Sequence, residues 1–126
     1  MKKSLQLCFL LVIIYTIFCC TKIDYAIIKN DSEDKITLKV NGKLFVDDKK
    51  TVFIKQENNF FEYEMKPKTE ELVAEFYNSK FDENVFNFDT LIITSKKRTV
   101  RMNSKTEIFN QFKASNKGDF KLIINE

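Results

Sequence analysis

The residues whose chemistry stands out in this chain are thiols near one end, carboxylates in adjacent pairs, and a knot of cations close to residue 100. All three cysteines, Cys8, Cys19 and Cys20, fall within the first twenty residues. A cysteine exposed as a new N-terminus after cleavage behind a small residue can carry a diacylglycerol on its sulfur. Cys20 behind the small Cys19 meets that need, and Cys19 behind Phe18 does not. The carboxylate pairs are Asp47-Asp48, Glu70-Glu71 and Asp82-Glu83, with Asp89 standing alone. Hydrolysis of a sugar by such groups needs two carboxyls facing each other across a cleft, one of them with its pKa raised by burial. Adjacent residues on a strand point to opposite faces, so each pair reads as a solvated loop and Asp89 as a turn or strand-entry residue. Asn30, Asp31, Ser32 and Asp34 set oxygens at alternate positions as calcium loops do. They lack the turn-making glycine and the distal bidentate Glu, so an ordinary polar turn is expected.

Absences narrow the chemistry further. The chain has no histidine, which removes the commonest general base and metal ligand together. Beyond Cys20 there is no cysteine for a thiol nucleophile or a zinc site, and Gly42 and Gly118 alone cannot form a glycine-rich phosphate loop. No catalytic residue, metal or cofactor is expected. Lys96, Lys97, Arg98 and Arg101 form a local basic patch, able to meet anionic headgroups or an anionic partner, or to guard a sheet edge against pairing. Among the many aromatics, Phe60, Phe81 and Phe86 would make a binding patch if exposed together; core packing is the alternative.

What must position these groups starts with the leader. Between Lys3 and Lys22 no residue is charged, and Leu7 to Phe18 is almost wholly Leu, Ile, Val and Phe. A helix of that kind enters a bilayer with its lysines on the cytoplasmic side, yet it is short for a permanent span, which needs roughly 20 residues. The reading is a lipoprotein signal peptide over residues 1–19 with lipid attachment at Cys20, and a single domain over residues 20–126. Ile17, Phe18 and Cys19 stand where the usual attachment box has Leu, a small residue, and Gly or Ala. An uncleaved membrane anchor and ordinary secretion are the other fates open to the segment, and all three place the rest of the chain outside the cytoplasm. Two acyl chains such as palmitate give stable anchoring where one gives reversible binding. Removing Lys2 and Lys3 from the 21 lysines and arginines leaves 19 against 18 acidic residues, too even a balance for nucleic-acid binding.

Period-two alternation dominates the remainder and predicts an all-β, antiparallel β-sandwich. The expected strands are a first one from Ile23, with Ile23, Tyr25 and Ile27 on one face and broken by the polar cluster Asn30–Asp34, then Lys35–Val40 with Ile36, Leu38 and Val40 inward, Lys43–Val46, Thr51–Lys55, Phe60–Met65, Phe86–Thr94, Arg98–Met102 and Phe120–Asn125. Asn41-Gly42 is the strongest hairpin turn, since both residues tolerate positive φ, and it should join the second strand to Lys43–Val46. Thr69–Asn78 reads as a strand or irregular edge, and Ile108, Phe109 and Phe112 as a short helical turn or apolar plug.

A signal ending in Cys20, Asn30-Asp31-Ser32 after an early strand, Phe88-Asp89-Thr90-Leu91-Ile92-Ile93-Thr94, a lysine-rich turn and Glu107-Ile108-Phe109-Asn110 before a last strand resemble the small all-β lipoproteins common in Bacteroidetes-type bacteria. The resemblance implies an immunoglobulin-like sandwich on a lipid anchor and carries no activity and no catalytic residue with it. The expectation is therefore a lipid-anchored accessory or binding protein of the cell envelope, with the outer membrane favoured over the inner. Its partners would be the membrane, through the N-terminal lipid, and an envelope protein. An envelope immunity protein that blocks a toxin is one alternative, and a carboxylate-based hydrolase is another.

Overall fold

The computed structural model describes residues 2–18 and 21–125, with side chains over 2–13 and 21–125. Helix α1 spans Lys2–Phe18. The strands that follow are β1 (Ile23–Asn30), β2 (Ile36–Val40), β3 (Thr51–Glu57), β4 (Phe60–Met65), β5 (Thr69–Tyr77), β6 (Leu91–Thr94) and β7 (Thr99–Met102). Helix α2 (Lys105–Gln111) then leads to β8 (Lys113–Ala114) and β9 (Phe120–Ile124). They form two sheets in a sandwich-like arrangement, a four-stranded one ordered β5-β1-β9-β8 and a five-stranded one ordered β3-β4-β2-β6-β7. The antiparallel expectation holds for the second sheet and fails for the first, which is mixed because β1 and β9 run parallel, Ile28 opposite Leu122. Alternation within a segment fixes which residues share a face and says nothing about the direction of the neighbouring strand.

Inward-facing residues of both sheets build the core. Ile36, Leu38 and Val40 of β2 lie beside Tyr63 and Met65 of β4 and Leu91 and Ile93 of β6 on the inner face of one sheet, with Ala26 and Ile28 of β1 on the inner face of the other, all nearly inaccessible. The core face of β1 is Asp24, Ala26, Ile28 and Asn30, while Ile23 stays 46% exposed, opposite to what an apolar count suggests. Two polar side chains can occupy that face because each is tied down. Asp24 pairs with Lys22 at 3.3 Å. Asn30 donates to the Asp34 and Lys66 carbonyls at 2.8 and 3.1 Å and accepts from the Ser32 N–H at 3.1 Å and hydroxyl at 2.7 Å. One end of the sandwich is filled by phenylalanines. Phe81 stacks on Phe120 at 4.0 Å and meets Phe109 at 4.9 Å, Phe76 at 5.2 Å and Phe86 at 6.0 Å. Such contacts add about 0.5–1.5 kcal/mol per pair beyond area burial.

The expected Asn41-Gly42 hairpin is absent, and residues 43–46 form no strand. Asn41 spends its side chain elsewhere: its Oδ1 accepts the N–H groups of Asp89 and Thr90, both at 3.0 Å. Gly42 is needed for a close approach, since a Cβ there would lie 2.9 Å from the Asn87 carbonyl oxygen. The same contacts shorten the expected Phe86–Thr94 strand to Leu91–Thr94, with Phe86 and Phe88 turned into the core. Thr69–Tyr77 is a full strand, and Ile108 and Phe109 lie on α2, capped by Ser104 through the Glu107 N–H at 3.1 Å.

Candidate binding cleft

The residues singled out in the sequence land in four places. Cys20 and Cys19 lie outside the described residues, so the lipid site carries no geometry here. The leader helix α1 before them is 17 residues long, with Leu5, Phe9 and Val12 more than half exposed, and no described helix is long and apolar enough to cross a membrane. The phenylalanine trio is not brought together on a surface. Phe86 is 1% exposed inside the aromatic cluster and Phe81 packs over it, while Phe60 sits on β4 beneath the Lys39 ammonium, 5.4 Å from its ring centre. Phe86 is therefore a core residue, because the turn at Glu83–Val85 points it between the sheets rather than outward.

The oxygen-rich loop after β1 turns inward on itself. Asn30 and Ser32 are buried and bond to each other and to backbone carbonyls, and no group of three or more candidate ligands for a metal exists among the described residues. The carboxylate pairs also separate. Glu70 faces out to Lys121 at 2.9 Å, and Glu71 faces in, 4% exposed, accepting the Asp47 N–H at 3.2 Å. Burial raises the Glu71 pKa above the ordinary carboxylic value, against the opposing pull of Thr51, the Asp47 backbone and Lys50. Thr51 is equally buried, yet neither its hydroxyl nor Glu71 Oε2 closes a hydrogen bond of full geometry. Glu71 lies under the segment that follows β2, not in an open cleft.

Of the basic quartet, Lys96 turns to Asp34 at 3.7 Å and Arg101 Nε donates to Asn103 Oδ1 at 2.6 Å, with Lys97 exposed on the β6–β7 turn. Arg98 alone is drawn into a concave site. That site is a cleft of about 540 Å³ at the flank where β7 of one sheet faces β9 of the other. Its cause is an unequal pair of edges. Strand β8 has two residues and covers β9 only at Lys121 and Phe120, so on the side away from β1 the last half of β9 has no strand beside it among the described residues and the sandwich stays open there. The floor is apolar, built from Ile93, Val100, Met102 and Leu122. The rim carries Arg98, Lys113 and Lys121, and none of the described lining residues is a carboxylate. Lys113 and Lys121 stand directly opposite each other, a like-charge pair that destabilises the ladder unless an anion offsets it. Lys121 finds Glu70, while Lys113 has no carboxylate within ion-pair reach among the described residues. Lys113 and Lys121 are the residues the sequence reading missed, since 23 positions separate Arg98 from Lys121 and no local pattern joins them.

The chain matches no family model, no curated protein and no solved structure in comparisons against all three. What the protein does must therefore be argued from its own residues.

Proposed function

We propose that this chain is a lipid-anchored accessory protein of the cell envelope, held by a diacylglyceryl group on Cys20 and acting by binding rather than by catalysis. The observation that carries it is the leader: Lys2-Lys3, an uncharged apolar helix and then Cys19-Cys20, followed by β1 after only Thr21 and Lys22. Two residues reach less than roughly 10 Å, so the domain rests on its membrane and its partner sits in or on the same surface. The outer membrane is the favoured site, and the proposal includes kinship with the small all-β lipoproteins of Bacteroidetes-type bacteria and an immunoglobulin-like arrangement of the two sheets. In support of binding, the open flank pairs an apolar floor with a cationic rim, the mixture that ligand sites use. An immunity protein that blocks a toxin would use the same flank. A hydrolase reading has less support, because the raised carboxyl of Glu71 lies buried away from that cleft.

Mass spectrometry of the mature protein from a bacterial host tests the anchor. The expected N-terminal peptide begins at Cys20 and carries the mass of a diacylglyceryl thioether. A peptide beginning at Met1, or an unmodified one beginning after Cys20, would overturn it.

A further inference from the structure

We propose that the open edge of β9 is a strand-addition site for an extended acidic segment of a partner protein. The inference rests on the binding-domain reading and names the partner that this cleft fits.

The Ile124 carbonyl accepts from the Asp31 N–H at 2.8 Å, on the β1 side of β9. Alternation then turns the N–H and C=O groups of Lys121 and Ile123 toward the other side. Lys121 meets Lys113 there, and Ile123 has no strand opposite on that side among the described residues. The chain cannot extend β8 to fill the place, because α2 ends at Gln111, two residues before Lys113. A docking strand laid along β9 would take up the Ile123 groups that β8 leaves uncovered, as partners do in other sheet-edge complexes.

The side chains state what kind of strand. Its inward residues would fall on Val100, Met102 and Leu122, which calls for apolar groups at every second position. Its outward residues would stand beside Lys113 and Lys121, which calls for carboxylates between them. A lipid headgroup would answer the cations but leave the backbone of Ile123 unused.

The test uses the full-length chain in a non-ionic detergent and a fluorescein-labelled seven-residue peptide of alternating Glu and Val, read by anisotropy. Three controls accompany it: the same peptide with Lys for Glu, the Glu peptide N-methylated at alternate residues so that it cannot donate to a strand, and vesicles of phosphatidylglycerol. The expected result is saturable binding of the Glu peptide, a loss of tenfold or more for the N-methylated form, and a similar loss in Lys113→Glu. Lys113 is exposed and Lys113→Glu sets opposite charges across the β8–β9 pair, so that variant should melt no lower than the wild type. Equal binding of the N-methylated peptide, indifference to Lys113→Glu, or binding of the vesicles with none of the peptide would each overturn the proposal. The measurement needs no lipid on Cys20, so its failure is read separately from a failure of the anchor.

Discussion

Replacing Asn30 by Asp changes one nitrogen to oxygen in a side chain with no exposed surface, and the structure fixes what that does. The amide donates to the carbonyls of Asp34 and Lys66 at 2.8 and 3.1 Å. In Asn30→Asp both donor hydrogens vanish and an acceptor faces the Asp34 and Lys66 carbonyls, with the Met65 carbonyl a third at 3.4 Å. The Lys66 carbonyl keeps the Thr69 hydroxyl, while the one Ser32 hydroxyl proton can serve either residue 30 or the Asp34 carbonyl and not both. The loss is then about 1 kcal/mol for each hydrogen bond, and roughly 1 kcal/mol or more for holding a carboxylate there with only Ser32 as donor. The sum is about 3 kcal/mol at neutral pH, which at a urea dependence of about 1.5 kcal/mol per molar moves the midpoint down by roughly 2 M. The sign of the pH dependence follows from linkage. Burial holds the new carboxyl's pKa above its unfolded value of about 3.9, so the folded variant binds more protons than the unfolded one. The deficit should shrink as pH falls toward that value, because the protonated acid can donate one bond again. Urea melts at neutral pH and near pH 4 read both effects. A midpoint within about 0.3 M of wild type at neutral pH would refute the reasoning, and would mean that the buried network does not hold the end of β1.

Other substitutions probe the rest of the fold. Glu71→Gln keeps the acceptor for the Asp47 N–H and removes a carboxyl that burial disfavours when ionised. The wild type should lose stability as pH rises from about 4.5 through the raised folded pKa, so the variant should equal it in acid and exceed it at pH 7; identical pH profiles in thermal melts would contradict this. Phe81→Ala removes the ring at the centre of the aromatic cluster and should lower stability by about 3–4 kcal/mol, whereas Phe45→Ala, 86% exposed, should change it by less than about 0.5 kcal/mol. Comparable losses in the two by denaturant unfolding would mean that the cluster does not pack as described.

Much of this fold was legible in the residues because strand patterning is local. Phe60–Met65 forms a strand over the expected span, and Ile36–Val40 forms one within the expected Lys35–Val40 with Ile36, Leu38 and Val40 buried as expected, since each alternates and ends at polar turns. What failed depended on distant partners. Asn41-Gly42 has the composition of a tight turn, but the amides of Asp89 and Thr90, 48 residues and more away, take the Asn41 side chain. The inner face of β1 is not legible locally because Asp24 and Asn30 look like surface residues until Lys22 and the Lys66 carbonyl are brought beside them. The cleft followed the same rule. Arg98 stood out within a run of cations, but its companions across the flank, Lys113 and Lys121, come from strands whose pairing no local pattern encodes.

The anchor decides whether this domain works at a membrane at all. Metabolic labelling with a clickable fatty acid in a bacterial host, comparing wild type with Cys20→Ser and Cys19→Ser, addresses it at the residue concerned. Label present in wild type and in Cys19→Ser and lost in Cys20→Ser is the expected result; wild type without label would contradict the lipid anchor.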